Sequence, residues 1–318
     1  MKSTFFTFMQ HRIDQLEQLG RFRTAETHRA TLQSFILFRN GKDLSLSRFN
    51  ADLMLLYEAF LKNRRVCPNT ISFYMRILRA VYNQATEKGL CAQKYPFKHV
   101  YTGIDKTVKR ALTLNHLKEL KALPLENEPR LAFARDLFLF SFYTRGMSFI
   151  DMAYLRKKDI NNDTLSYRRR KTGQCIYIQW ERCMQDIVNR YPTPPESPYL
   201  LPIIHLPHAF ESAPNDTARP APQEEHAKIL QERRCYQKAL HSINHQLKIL
   251  SKRMGLPAPL TTYVARHTWA NIARNQNIPI HVISEGLGHN SEQTTQIYLT
   301  SLDTSIINEA NRKIIETV

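Results

Sequence analysis

Hydrophobic residues recur at every third or fourth position along most of the chain, which is the period of an amphipathic α-helix. Within the first hundred residues this period is regular over 24–40 and 69–89. Thr24 and Asn69 are residue types that favour the N-cap position, and Gly89 is typical of a helix C-terminus. We therefore expect helices that begin at Thr24 and Asn69, the second of which ends at Gly89.

The pattern changes between residues 163 and 180, where hydrophobic and polar residues alternate. Alternation is typical of β-strands with one buried face. The two alternating runs flank Lys171, Thr172 and Gly173, and glycine readily adopts the positive φ that a tight turn needs. We expect a β-hairpin with Gly173 in its turn and Lys171 near its tip.

The helical period returns after residue 112, with Thr113 as the candidate N-cap, and continues almost to the end of the chain. The predicted helices of this region lie within residues 113–123, 131–146, 147–155, 224–254, 262–275 and 280–287. Prolines interrupt the pattern between residues 191 and 223, where we expect an irregular, mobile loop. The tail after Asp303 carries an apolar stripe, which can dock into a neighbouring copy or back onto its own domain.

These patterns predict a mainly α fold with a small β-hairpin or sheet. At 318 residues the chain is long enough for two domains that each bury a core. We place a helical domain over residues 1–100, a basic linker over residues 101–111, and a second domain over residues 112–318 that contains the hairpin and the tail helix.

Positive charge is in large excess, since 45 lysines and arginines face 28 acidic residues and the formal net charge is +17. Residues 1–100 carry 16 basic and 7 acidic side chains, whereas residues 201–318 carry 12 and 10. The excess therefore lies in the first two thirds of the chain. Such a surface attracts polyanions, which include nucleic acids and anionic membranes.

Membrane and secreted proteins fit the sequence poorly. The longest apolar stretches fall far short of the roughly 20 residues that cross a bilayer. The start of the chain lacks the apolar core and cleavage site of a signal peptide. The five cysteines are odd in number and form no C-x-x-C pair, which argues against a disulfide framework and a zinc module. We expect a cytoplasmic protein with reduced thiols, no membrane association and no bound metal.

Several polar residues are candidates for chemistry, although each alone is typical of an ordinary surface or core position. They are Arg145 after a predicted helix, Lys171 at the hairpin turn, Arg266 with His267 in TYVARHTWA, and His289, nine residues before Tyr298.

In this order and with these spacings, the residues resemble the tyrosine recombinase family, which includes phage integrases and Xer-like enzymes. The matching motifs are R-x-K-T-G, which ends in Lys171–Thr172–Gly173, then Tyr263-x-x-Arg266, Leu287–Gly288–His289 and Tyr298. The segments RGMSFIDMAYL and YVARHTWA are further similar to those of Bacteroidetes-type integrases of mobile elements.

The resemblance implies a helical SAM-like core-binding domain followed by a mixed α/β catalytic domain. It also implies a site-specific recombinase that binds duplex DNA and acts as a homo-tetramer on paired recombination sites. Strands would be cleaved and rejoined through a 3′-phosphotyrosyl intermediate and a Holliday junction, without a cofactor. Accessory DNA-bending or directionality proteins are further candidate partners.

Cleavage of a phosphodiester explains why these side chains are needed. Guanidinium groups, here those of Arg145 and Arg266, can hold the phosphate oxygens on which negative charge builds. The resemblance assigns the nucleophile to the Tyr298 phenolate and the proton for the leaving 5′ oxygen to Lys171. It assigns a hydrogen bond to the phosphate to His289.

The first motif departs from the family pattern, because Ser148 stands where an arginine is expected. Arg145 lies three residues earlier, and in a helix the two residues would share a face, so that Arg145 could reach the same phosphate. Asp151, in the acidic position of the motif, is expected to orient an arginine.

The H-x-x-R motif departs as well, because Tyr263 stands where a histidine is expected. A phenol can donate a hydrogen bond to phosphate but is a poor general base near neutral pH. His267 is adjacent to Arg266 and points about 100° away from it on a helix, so it is a weak substitute. Neither residue is therefore assigned as the acceptor of the Tyr298 proton.

Other basic residues are candidate DNA contacts, because lysine and arginine bind backbone phosphates irrespective of sequence. They are Arg76 and Arg79 on a predicted helix, Lys106, Lys109 and Arg110 in the linker, and Arg168 and Arg170 at the hairpin.

Two alternative functions stay open. A DNA-binding protein that keeps the scaffold but no longer cuts would explain the loss of the motif arginine and histidine, although Tyr298, Lys171 and Arg266 are retained. An RNA-binding protein rests on charge alone, and the chain lacks the expected sheet of stacking aromatics.

Overall fold

The computed structural model describes residues 4–105, 110–206, 222–289, 291–298, 312, 315 and 316, except for the side chains of residues 222–224, 297 and 298. The chain divides into two compact units, Met1–Thr107 and Val108–Val318. The boundary falls inside the segment that the sequence indicates as a linker.

The described part of the first unit contains four α-helices around an aromatic core. They are α1 (Phe5–Gln18), α2 (Phe22–Phe38), α3 (Ala51–Asn63) and α4 (Pro68–Glu87). Phe5, Phe35, Phe49, Tyr57 and Tyr82 are completely buried, and neighbouring rings lie 4.5 to 5.7 Å apart. Rings at this separation attract one another in addition to burying apolar area.

Helix boundaries in the first unit differ from the predicted ones. The helix α1 was not predicted, and α2 begins at Phe22 instead of Thr24. The helix α4 begins at Pro68, because proline suits the first helical position, and its N-cap is therefore Cys67 rather than Asn69. The predicted stop at Gly89 is confirmed, since the helix ends there with a φ of +70°.

Asn69 does not cap α4 but hydrogen-bonds the backbone of Asp105, near the end of the first unit. Its side-chain amide donates to the carbonyl of Asp105 at 3.0 Å, and its Oδ1 accepts from the Asp105 N–H at 2.8 Å. Phe97 and Val100 are buried in the same aromatic core. Residues 101–105 of the predicted linker are therefore held by the first unit.

The described part of the second unit combines eight helices with a small sheet. The elements are α5 (Leu114–Ala122), α6 (Pro129–Tyr143), α7 (Phe149–Ala153), β1 (Ile160–Asn161), β2 (Thr164–Arg168), β3 (Cys175–Gln179), α8 (Arg182–Arg190), α9 (Pro222–Arg253), α10 (Val264–Asn275), α11 (Ile280–Gly286) and α12 (Glu292–Tyr298). The helix α6 packs against α5, α8, α9 and α10 and is the centre of the core. Thr113 caps α5 as predicted, since its hydroxyl accepts from the His116 N–H at 3.2 Å.

The three strands form an antiparallel sheet in the order β1-β2-β3. Tyr167 pairs with Ile176 and Arg168 with Cys175, and the connecting turn includes Gly173 with a φ of +73°. The predicted mainly α fold with a small hairpin is therefore confirmed, and β1 adds a strand that the sequence did not indicate.

Residues 191–206 belong to the proline-rich segment that was expected to be a mobile loop. They form no helix or strand, but Tyr199, Leu200, Leu201, Ile203 and Ile204 are buried in the core of the second unit. This part of the segment is packed rather than mobile, and residues 207–221 lie outside the described residues.

No helix in the described ranges is both long and apolar enough to cross a membrane. The five cysteines, all of which are described, are free thiols.

Candidate active site

The loop between α6 and α7 is shaped by two consecutive residues with positive φ, Arg145 at +58° and Gly146 at +70°. Arg145 therefore lies in a turn, and the helical face that it was expected to share with Ser148 does not exist. Ser148 is instead the N-cap of α7, and its hydroxyl donates to the Asp151 carboxylate at 2.6 Å. The prediction of a continuous helix is wrong because α6 ends before Arg145. The N–H of Gly146 donates a hydrogen bond to the carbonyl of Ser141 at 2.7 Å, which is typical of a helix C-terminus.

Gly146 brings this loop into direct contact with α10. A Cβ at this position would lie 2.7 Å from the Cα of Arg266, so only glycine permits the approach. The carbonyl of Gly146 accepts a hydrogen bond from Nη1 of Arg266 at 2.8 Å.

Arg266 is only 2% exposed and connects three segments of the second unit. Its Nη2 donates to the carbonyl of Leu287 and lies 3.0 Å from Nε2 of His289. A buried guanidinium is tolerated where its N–H groups find acceptors, and here backbone carbonyls supply them. The motif arginine and the motif histidine are thus in contact.

A second buried arginine, Arg169, reaches the same place from the hairpin turn. It is 5% exposed, and its Nη1 donates to the carbonyls of Leu287, at 3.1 Å, and Gly288. Its Nε lies 4.0 Å from the Asp151 carboxylate. The carbonyl of Leu287 therefore accepts from both Arg169 and Arg266.

Strand alternation determines which of the three consecutive arginines is buried. Leu165, Tyr167 and Arg169 follow one another at every second position on the inner face of the hairpin, whereas Arg168 and Arg170 are exposed. The geometry of the sheet thus selects Arg169 for the interior.

His289 follows this shared turn, and its other ring nitrogen contacts α12. Its Nδ1 lies 2.8 Å from Oγ1 of Thr295, which is completely buried. Burial and then the positive charges of Arg266, Arg169 and Lys171 lower the pKa of His289 to about 4. The imidazole is therefore neutral near pH 7, and the exposed Lys171 lies close enough to influence it.

The low pKa of His289 makes the stability of the protein depend on pH. An unfolded histidine has a pKa of about 6.5, so between about pH 6.5 and pH 4 the unfolded state binds more protons than the folded state. The stability contributed by neutral His289 is fully present above that range and is lost as the pH falls through it. We expect the drop in thermal midpoint from pH 7 to pH 5 to be smaller in His289→Gln than in the wild type. Equal drops would show that His289 titrates normally in the folded protein.

The hydroxyl of Tyr167 lies among the same charges. Burial and the Asp151 carboxylate raise the pKa of Tyr167, while Arg266, Arg169 and Arg145 oppose the shift. The phenol therefore stays protonated near neutral pH and can donate a hydrogen bond. Because its charge acts on the same hydroxyl, Arg145 belongs to this region, although it is only half-buried.

The remaining motif residues lie at the edges of this cluster. Tyr263 immediately precedes α10 and is 43% exposed, and its ring meets the buried His267 ring edge to face at a centroid distance of 5.1 Å. Tyr298 is the last residue of α12, and its side chain lies outside the described residues.

The candidate DNA contacts are distributed over both units. Arg79 on α4, Arg110 and the hairpin residues Arg168 and Arg170 are exposed, whereas Arg76 is half-buried with its Nε 3.4 Å from the Ser72 carbonyl. Arg168 donates to the Gly173 carbonyl at 2.6 Å, and the guanidinium of Arg170 lies 3.7 Å from the centre of the Tyr154 ring. Lys106 and Lys109 lie outside the described residues.

Sequence reasoning assigned no role to Arg169, Tyr167 or Thr295, although Arg169 is the first residue of the R-x-K-T-G motif. For the first two the signal was available, because the alternation of the predicted hairpin places every second residue on one face. The contact between Thr295 and His289 joins two segments across a turn, and no residue pattern indicates it.

Two protein-family models match the chain. The phage integrase SAM-like domain matches residues 4–100, and the phage integrase family matches residues 212–305. The second range includes Arg266, His289 and Tyr298.

Individual relatives match over most of the chain. Tyrosine recombinase XerC of Roseiflexus castenholzii is 24% identical over 296 residues, which cover 92% of this chain and 86% of the relative. The Tn1549 transposon integrase in complex with circular intermediate DNA has a TM-score of 0.63 at 13% identity and covers 98% of this chain and 99% of its own. A lambda integrase tetramer bound to a Holliday junction has a TM-score of 0.61 at 14% identity, with coverages of 94% and 78%. The likeness to the solved structures shows a shared fold.

Proposed function

Because this chain belongs to the tyrosine recombinase family, whose members cleave and rejoin DNA at specific sites, we propose that Tyr298 attacks a backbone phosphate of duplex DNA. The phenolate oxygen bonds to phosphorus, and the bond from phosphorus to the 5′ oxygen of the next nucleotide breaks. The product is a 3′-phosphotyrosyl ester and a free 5′ hydroxyl. Attack by a 5′ hydroxyl of another strand reverses the step and rejoins the DNA.

The convergence of Arg169 and Arg266 on the Leu287–Gly288 turn carries this proposal. Two buried guanidinium groups are fixed at one point beside His289, where they can stabilise the negative charge that builds on the phosphate oxygens. Arg169 shares a backbone acceptor with Arg266, whereas Arg145 lies in the neighbouring turn. We therefore assign to Arg169 the cation that the motif lacks at Ser148, with Arg145 as a further, more exposed charge.

Lys171 is the proposed proton donor to the departing 5′ oxygen. It is exposed at the hairpin tip, and its charge acts on His289, so it lies beside the buried cations while remaining free to reach a substrate. A 5′ alkoxide is strongly basic, and a positioned ammonium group speeds its departure by protonating it.

We further propose duplex DNA as the partner and a homo-tetramer on two paired sites as the working assembly, with exchange through a Holliday junction. The lambda integrase neighbour is a tetramer on such a junction, which supports this assembly. Accessory DNA-bending or directionality proteins and a cytoplasmic location belong to the same proposal.

A nicked suicide duplex tests the function. We expect the wild type to form a denaturant-resistant covalent adduct on nicked duplexes drawn from the DNA that flanks its own gene. Tyr298→Phe should bind the same duplex with unchanged affinity and form no adduct, because phenylalanine lacks the nucleophilic oxygen.

Tyr177→Phe is the matched control, since Tyr177 is 65% exposed on β3, and it should keep the adduct. An adduct that survives Tyr298→Phe would assign the nucleophile elsewhere. Duplex binding by the wild type without any adduct would support the DNA-binding protein that no longer cuts.

A further inference from the structure

The hydrogen bond between Thr295 and His289 links the helix that ends at Tyr298 to the buried arginines. We propose that Thr295 is a positioning residue that, together with Arg266, holds His289 in one tautomer and thereby makes the hydrogen bonding of the site depend on the docking of α12. This inference rests on the proposed function and adds to it a residue outside the family motifs.

The tautomer follows from the two partners of the imidazole ring. Nε2 lies 3.0 Å from Nη2 of Arg266, and a guanidinium nitrogen can only donate, so Nε2 must present its lone pair. In a neutral imidazole the single proton is then on Nδ1. Nδ1 lies 2.8 Å from Oγ1 of Thr295, which accepts a hydrogen bond from this N–H.

Burial and the charges around His289 lower its pKa and keep the ring neutral, so that only one of its two nitrogens carries a proton. Arg266 faces it from α10, Arg169 and Lys171 face it from the hairpin, and α12 contributes the uncharged Thr295. Three positive charges oppose protonation of the ring. A doubly protonated imidazole would also place an N–H against the N–H of Arg266.

Thr295 connects this arrangement to the nucleophile. It lies three residues before Tyr298 on α12, and residues three apart share one face of a helix. The hydroxyl of Thr295 is buried with the rest of its side chain, so its contact with His289 exists only while α12 is docked. When α12 moves away, Nδ1–H loses this acceptor, and Arg266 alone of the two partners still favours the proton on Nδ1.

The tautomer matters for phosphate binding. With the lone pair on Nε2, His289 can donate a hydrogen bond from this atom to a phosphate oxygen only after it gains a proton. If Nε2 carried the proton, it would be a donor already but would face the N–H of Arg266. A docked α12 thus favours the tautomer in which Nη2 of Arg266 donates a hydrogen bond to Nε2 of His289.

Three substitutions on α12 distinguish the effect of the Thr295 hydroxyl from an effect on folding. Thr295→Val is nearly isosteric and removes the hydroxyl, whereas Thr295→Ser keeps it. Thr294→Val is the matched control, because Thr294 is the adjacent, exposed threonine, whose hydroxyl lies 3.2 Å from that of Ser291.

The first test reads the tautomer directly and needs no DNA. Nitrogen-15 correlation spectra of the full chain labelled at histidine, with His289 identified by comparison with His289→Gln, should show the proton on Nδ1 in the wild type, Thr295→Ser and Thr294→Val. Thr295→Val should show a mixture of tautomers. A proton on Nε2 in the wild type would overturn the inference even if Thr295→Val fails to fold.

The second test follows covalent adduct formation against pH on the suicide duplex. We expect Thr295→Val to react at least about tenfold more slowly and with an altered pH profile, since a catalytic-site imidazole in the wrong tautomer is strongly impaired in other enzymes. Thr295→Ser should restore both the rate and the profile. Equal losses in Thr295→Val and Thr295→Ser with an unchanged profile would reduce Thr295 to a packing role.

The two tests separate this inference from the function on which it rests. A wild type that forms no adduct contradicts the proposed function, whereas the tautomer measurement still stands. A wild type that forms the adduct while Thr295→Val leaves both tautomer and rate unchanged overturns the inference alone.

Discussion

Replacing Arg169 with methionine should slow covalent adduct formation about a hundredfold to a thousandfold, the usual loss when one preorganised donor to a developing negative charge is removed. Affinity for duplex DNA should stay within a few-fold of the wild type, because many phosphate contacts share the binding energy. Methionine keeps the unbranched stem of arginine and removes the guanidinium that contacts the Leu287–Gly288 turn. The measurement is the single-turnover rate on the suicide duplex.

The same substitution also removes the guanidinium whose Nε lies 4.0 Å from the buried Asp151 carboxylate, and breaking a buried ion pair costs roughly 3 to 5 kcal/mol. A double variant, Arg169→Met with Asp151→Asn, removes both charges and should recover much of this stability. We expect its cleavage to stay low. A double variant that regained stability and cleavage together would show that Arg169 acts only through folding.

Arg145→Met decides between the two candidate cations. Arg145 is half-buried in a turn, so we expect a smaller loss of cleavage from its replacement than from that of Arg169. A larger loss at Arg145 would assign the missing motif cation to the residue that the sequence alone suggests.

Gly146→Ala should lower the free energy of unfolding by about 2 to 4 kcal/mol, the sum of a strained positive φ and an overpacked contact. The new Cβ would lie 2.7 Å from the Cα of Arg266, which is backbone and cannot rotate away. The clash also displaces Arg266 from the Leu287 carbonyl, so cleavage should fall with stability. Denaturant unfolding of the full chain measures the first effect.

Gly255→Ala is the matched control for this strain. Gly255 has a φ of +62° in the same unit, and a Cβ there would meet nothing within 4 Å. Its replacement should cost only the conformational penalty, about 1 to 2 kcal/mol. Equal losses of unfolding free energy in the two variants would mean that α10 shifts to accommodate the new methyl group with no further loss of stability.

Much of the fold was accessible from periodicity, because burial of one helix face or one strand face leaves a direct trace in the sequence. The hairpin with Gly173 and the cap at Thr113 were predicted for that reason. The helix α1 was missed although Phe5, Met9 and Ile13 have helical spacing and are buried. Polar residues interrupt this spacing, which hides the helical period.

The candidate site was less accessible, because it is assembled from turns that lie far apart in the chain. The motifs identified Arg266 and His289, which the fold brings to 3.0 Å. Arg145 was placed on a helix because the apolar pattern continues to Gly146, whereas two positive φ angles turn the chain there. Arg169 is one of three adjacent arginines, and only the register of the sheet separates the buried one from its neighbours.

The backbone carbonyls that hold Arg169 and Arg266 have an entropic consequence. An arginine side chain loses about 2 kcal/mol of rotamer freedom when it is immobilised. In this protein that ordering accompanies folding, because the acceptors at Gly146, Leu287 and Gly288 belong to the chain itself. An incoming anion therefore meets guanidinium groups that are already oriented, and its affinity is not reduced by the need to freeze them.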